Sequence, residues 1–151
     1  MNKDFTKEDI LKKHETNIKS ASTAILLSGI LGLIYVVRYI LSGNFNFYFS
    51  LSFTDMLLRL SEDKGSILVP AIISVVYILM YTSFSVLMAK SKKAIYAGLG
   101  IYLFDFACLI YSFVCIFPKP LDSAHFIDVI VHLFVITFLV VGIISQKKIK
   151  E

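Results

Sequence analysis

Charge, cysteine and proline are all scarce in this sequence. Charged residues make up only 17% of its 151 positions, and they gather in short stretches between long uncharged runs. A soluble domain carries about 25% charged residues, and a disordered chain has little apolar content. The balance therefore excludes a disordered segment, a nucleic-acid module and an ordinary soluble enzyme. The two cysteines, Cys108 and Cys115, sit two turns apart in one apolar run. On a helix they are separated by about 10 Å, beyond disulfide reach. No Cys-x-x-Cys pair offers redox chemistry, so both are read as packing residues. The three prolines stand at the edges of apolar runs: Pro70 in the first turn of one, where the missing N–H costs little, and Pro118 and Pro120 after another.

What the chain has instead is apolar length. It is 57% hydrophobic with a mean hydropathy of +0.77, and 151 residues suffice for one compact domain and no second. A bilayer core about 30 Å thick is crossed by roughly 20 apolar helical residues. Four windows qualify: 21–41, 67–89, 94–117 and 124–145. Ser20 to Val37 and Gly65 to Ala89 carry no charge at all. Runs this continuous do not suit barrel strands, and lipid allows no third option, because every backbone group must be paired internally. The expected fold is all-α: a polytopic membrane protein whose four transmembrane helices form an antiparallel bundle. Residues 1–20 form a basic amphipathic segment, 21–145 the membrane domain with an outer loop over 42–66, and 146–151 a basic tail.

Basic residues orient the chain. Lys3, Lys7, Lys12, Lys13 and Lys19 precede the first span, Lys90, Lys92 and Lys93 fill the second loop, and Lys147, Lys148 and Lys150 close the chain. These are eleven of fifteen basic residues, all on one face, which the positive-inside rule makes cytoplasmic. Both termini are then cytoplasmic in the cell membrane, and anionic headgroups, not nucleic acid, are the counter-charge for the net +4. The first span is too long for a cleaved signal peptide and lacks a small-residue cleavage site; it reads as an uncleaved anchor. Before it, Thr6 and Asp9 resemble a capping pair, with Leu11, His14 and Ile18 on one helical face.

The outer loop alternates from Asn44 to Thr54, setting Phe45, Phe47, Phe49, Leu51 and Phe53 against polar neighbours. Period two predicts an extended segment with one apolar face, an interfacial anchor with Arg38 snorkelling beside it. A lid or a dimer contact are the alternatives. Thr54 or Asp55 then caps a short helix through Arg59, with Met56, Leu57 and Leu60 toward lipid. Small residues at Ser28/Gly32 and Ala94/Gly98 permit close helix approach.

Ionisable residues inside a span are costly and mark functional sites by default. Asp105 lies twelve residues into span three, where it must be protonated, paired or facing water. His125, Asp128 and His132 follow at i, i+3 and i+7 on span four, sharing one face. Three chemistries fit. Asp105 and His132 form a buried polar pair that sets helix register, or they relay protons for a small transporter of protons or cations. Alternatively His125, Asp128 and His132 bind a divalent metal and activate water, as an intramembrane hydrolase would. Apart from that metal, no cofactor is implied. Arg38 paired with Asp128 is a further option.

Spans three and four also carry Gly98-x3-Tyr102-x2-Asp105 and His132-x9-Gly142. In these motifs the chain resembles a group of small, uncharacterised bacterial four-helix membrane proteins, with a longer Asp-to-His interval here. The resemblance implies that Asp105 and His132 act together, with Tyr102 beside them in the bundle interior. The expected role is non-enzymatic: an accessory, regulatory or protective protein working through helix contacts with a second copy or a membrane-protein partner.

Overall fold

Residues 6–43, 51–62, 67–88, 90–117 and 123–149 are described by a computed structural model. They form five helices: α1 (Lys7–Ser42), α2 (Ser52–Glu62), α3 (Leu68–Met88), α4 (Lys92–Cys115) and α5 (Ser123–Lys148). No strand occurs among the described residues. Four of the helices, all but α2, are long and apolar enough to cross a membrane. Their outward faces are apolar too: Leu41, Leu68, Val114 and Phe134 are each more than 60% exposed. Such a surface is stable only against lipid or another protein.

Helix α1 starts at the expected capping box. Thr6 Oγ1 accepts from Asp9 N–H, and Asp9 accepts from Thr6 N–H. The helix continues without a break through the boundary expected at residue 20. It ends at Gly43, whose φ of 61° only glycine adopts cheaply, and whose N–H donates to the Tyr39 carbonyl at 2.8 Å.

The four long helices form a ring in which α1 packs on α3 and α5, and α4 packs on the same two. Small residues set the spacing. Gly29 faces Thr82 of α3, Gly98 faces Met88, and Gly142 lies against Ala21 of α1 and Ile95 of α4. Along α1, contacting residue numbers rise as those of α5 and of α3 fall. Asn17 bonds Ser145 while Ser28 lies near Val131, and Ser22 bonds Ser85 while Gly32 meets Ile78.

Helix α2 departs from the sequence expectation. Residues 52–54, read as the end of an extended segment, are its first turn; 44–50, with Phe45, Phe47 and Phe49, lie outside the described residues. Its buried residues are Ser52, Thr54, Asp55, Leu58 and Ser61, with Leu51 buried just before it; Leu51, Thr54, Asp55, Leu58 and Ser61 follow at spacings of three and one to one helical face. Thr54 and Asp55 are therefore inside the helix and do not cap it. Met56 and Leu57 are half-buried and Leu60 is exposed, on the side turned away from the bundle. Helix α2 packs on α4 and α3. Leu51 reaches Gly32 of α1, ten residues below that helix's end, a drop of about 15 Å.

Candidate functional site

The start of α2 explains why Asp105 is where it is. The first amides of any helix lack intrahelical acceptors, and here two of them meet one carboxylate. Ser52 N–H donates to Asp105 Oδ2 and Phe53 N–H to Asp105 Oδ1, each at 3.0 Å. The cap comes from another helix, at the middle of α4. A carboxylate also suits the positive end of the α2 dipole.

Two side chains complete the shell. His132 Nε2 lies 3.1 Å from Asp105 Oδ2, and the Tyr77 hydroxyl donates to Oδ1 at 3.3 Å. Asp105 is fully buried with four donors around it. Ser52 Oγ is 3.2 Å from the same Nε2. The other ring nitrogen, Nδ1, lies 2.8 Å from the Asp128 carbonyl and 3.3 Å from its Oδ1. Both ring nitrogens thus face acceptors, a pattern the doubly protonated ring satisfies. The expected Asp105–His132 pair exists, and it anchors the start of α2, whose body packs on α3 and α4.

Aromatic rings seal this centre. Tyr102 lies 5.3 Å and Phe106 5.9 Å from the His132 ring, and Phe53 packs on Tyr77 at 4.7 Å and Phe104 at 5.6 Å. Phe53, expected at the outer interface, is half-buried and packs on the core through Tyr77. Beside His132 a cavity of about 20 Å³ is lined by Ser28, Tyr102 and Asp128. That is room for about one water.

A second polar centre, one turn along α2, was not legible in the sequence. Tyr35 of α1 donates its hydroxyl to Asp55 Oδ1, and Arg59 Nε lies 2.9 Å from both Asp55 oxygens. The Arg59 guanidinium also sits 5.2 Å from the Phe117 ring at the end of α4. Burial pushes the Asp55 carboxyl above its ordinary range, while Arg59 and the Tyr35 hydroxyl pull it back down. The i, i+4 spacing of Asp55 and Arg59 was the available sequence signal. Nothing local pointed to Tyr35.

The other candidates are placed apart. Arg38 is exposed near the end of α1, and Asp128 pairs with His132 rather than with Arg38. His125 packs at a tilt on Phe117, with ring centroids 4.3 Å apart, and meets Phe113 edge-on at 6.0 Å. Among the described residues no three His, Cys, Asp or Glu side chains converge to hold a metal ion. Hence His125, Asp128 and His132 share a face but not a ligand geometry, because His132 turns both nitrogens to protein acceptors. Cys108 is buried and Cys115 exposed, both as free thiols.

Together these features define a multi-pass helical membrane protein with a buried carboxylate–imidazole centre. Comparison with protein-family models, curated proteins and solved structures finds no match.

Proposed function

We propose that this chain is a non-catalytic protein of the cell membrane, acting through helix contacts as an accessory, regulatory or protective component. The basic end of the bundle, with both termini, faces the cytoplasm, and α2 is a re-entrant half-helix entering from the opposite side. The observation that carries this reading is the saturation of Asp105. A carboxylate that moves protons or cations must exchange its partners. Here four protein donors occupy it, and two of them are backbone amides that leave only if α2 withdraws. An unpaired amide at membrane depth costs several kcal/mol, so α2 is held and the outer half of the bundle stays plugged. Asp105 and His132 are also among the residues whose motifs resemble those of small bacterial four-helix membrane proteins.

A proton- or cation-coupled transporter is the second reading. It is favoured by the cavity beside Asp128 and His132, where a water could extend a proton path. Proteoliposomes holding a trapped pH dye separate the two. Under an imposed pH gradient or potential, wild-type vesicles should leak no faster than lipid alone. Flux in the wild type that Asp105→Asn abolishes, with the variant still folded, would overturn the non-transport reading.

A further inference from the structure

One face of α1 changes character along its length. Thr16, Lys19, Ser20 and Thr23 follow one another at spacings of three and one, on a single stripe. The same stripe continues through Ala24, Leu27 and Leu31. It is polar for about 10 Å and mostly apolar for about 10 Å more. Helix α5 covers it only in part: Thr16, Lys19, Thr23 and Leu27 are exposed, while Ser20, Ala24 and Leu31 are half-buried. Between the two helices runs a groove of about 510 Å³, open to the side, with the four polar residues at one end. Phe134 and Phe138, whose rings meet edge-to-face at 4.7 Å, wall its apolar end.

From this geometry we infer that the α1–α5 groove is a binding site for one anionic phospholipid, with its phosphate at Lys19 and an acyl chain along Ala24, Leu27 and Phe138. Charge complementarity selects the headgroup. The Asn17–Ser145 bond at 2.9 Å brings Lys147 and Lys148 of α5 to the same end of the bundle as Lys12, Lys13 and Lys19. The hydroxyls are available as well. Thr16, Ser28, Thr82 and Thr137 turn their hydroxyls back onto carbonyls of their own helices, the usual habit of Ser and Thr in helices. Ser20 and Thr23 make no such bond among the described residues, which leaves both hydroxyls to donate to a phosphate. Length agrees too, since the span from Thr16 to Leu31 is about 22 Å, a headgroup plus the depth of one leaflet of a bilayer core about 30 Å thick. A second copy of the chain fits less well, because a protein helix would bring Lys19 against the matching basic end of its twin. The assignment rests on the chain spanning a bilayer with its basic end at headgroup level, and not on the role given to Asp105.

The absence of tryptophan makes a clean test. Leu27→Trp puts a reporter on the groove, and Val86→Trp puts one on the lipid-exposed side of α3. Each variant is reconstituted in phosphatidylcholine vesicles containing a minor fraction of phosphatidylglycerol, with bromine on the acyl chains of one lipid or the other. At Leu27→Trp, brominated phosphatidylglycerol should quench as though enriched about fivefold, the worth of one lysine near an anionic headgroup; Val86→Trp should report no enrichment. Adding Lys19→Gln to Leu27→Trp should abolish the preference, and Lys19→Arg should keep it. Equal enrichment at the two positions, or a preference indifferent to Lys19→Gln, overturns the site while leaving the spanning fold intact. No quenching by either lipid at either position overturns the spanning fold and the site with it.

Discussion

Replacing Asp105 by Asn tests the clamp most directly, because the side chain keeps its shape and loses only charge and one acceptor. Whichever way the amide turns, one of its two positions becomes an NH₂ group. If that position is Oδ2, the Ser52 N–H at 3.0 Å faces a donor; if it is Oδ1, the Phe53 N–H at 3.0 Å does. A buried amide left unpaired costs about 1–3 kcal/mol, and bonds to a charged group exceed neutral ones by about 1 kcal/mol each. With two bonds kept but weakened, the loss comes to about 3–5 kcal/mol. For a chain of this size that lowers the thermal midpoint by about 10 °C. Removing only the Tyr77 hydroxyl, a single bond at 3.3 Å, should cost about 1 kcal/mol. Unfolding of the purified protein in detergent measures the midpoints, and amide hydrogen exchange locates the damage. Exchange should rise first over residues 52–62, while the amides of α1 and α5 stay protected. An Asn variant within about 2 °C of wild type, or α2 amides still as protected as before, would refute the clamp.

Other expectations follow from single features. A methyl group at Gly142 would meet Ala21 Cβ at 2.8 Å and Ile95 at 2.9 Å, so Gly142→Ala should destabilise by about 1–3 kcal/mol. Gly100 has nothing within 4 Å of such a methyl, and Gly100→Ala should instead stabilise by about 0.5–1 kcal/mol; thermal melts of the two variants give the contrast. Burial raises the Asp55 carboxyl in the folded protein, so the native state holds that proton to higher pH than the unfolded chain does. Its contribution is then complete below the unfolded value of about 3.9 and is lost as pH rises through the raised native value. The difference in melting midpoint between Asp55→Asn and wild type should accordingly change as pH rises above about 3.9, in the direction that favours wild type at the acid end; a flat difference removes this assignment. His132→Phe keeps a ring at the site but leaves Asp105 Oδ2 and Ser52 Oγ without the imidazole, and the same melts should show a loss of about 2–3 kcal/mol, the scale of a bond to a charged group.

What the sequence alone determined is the class of this protein. Four windows of apolar residues, each long enough to cross a bilayer, make helices the only solution, because a backbone in lipid must pair with itself. That constraint is local and needs no partner, so the spans 67–89 and 94–117 fall close to the observed α3 and α4. The capping box at Thr6 and Asp9 was legible for the same reason, lying within one turn of chain. Asp105 and His132 also stood out, since a charge in an apolar run is visible without a structure, and they do meet. The tertiary structure alone decided what that meeting is for. Residues 52–54 alternate like a strand, yet they form a helix because Asp105, more than fifty residues away in the chain, supplies the acceptors its first turn lacks. Tyr35 and Asp55 join in the same way across separate helices. Helix formation reads out neighbours within a few residues, whereas the acceptor that anchors a buried helix start can come from anywhere the fold brings it.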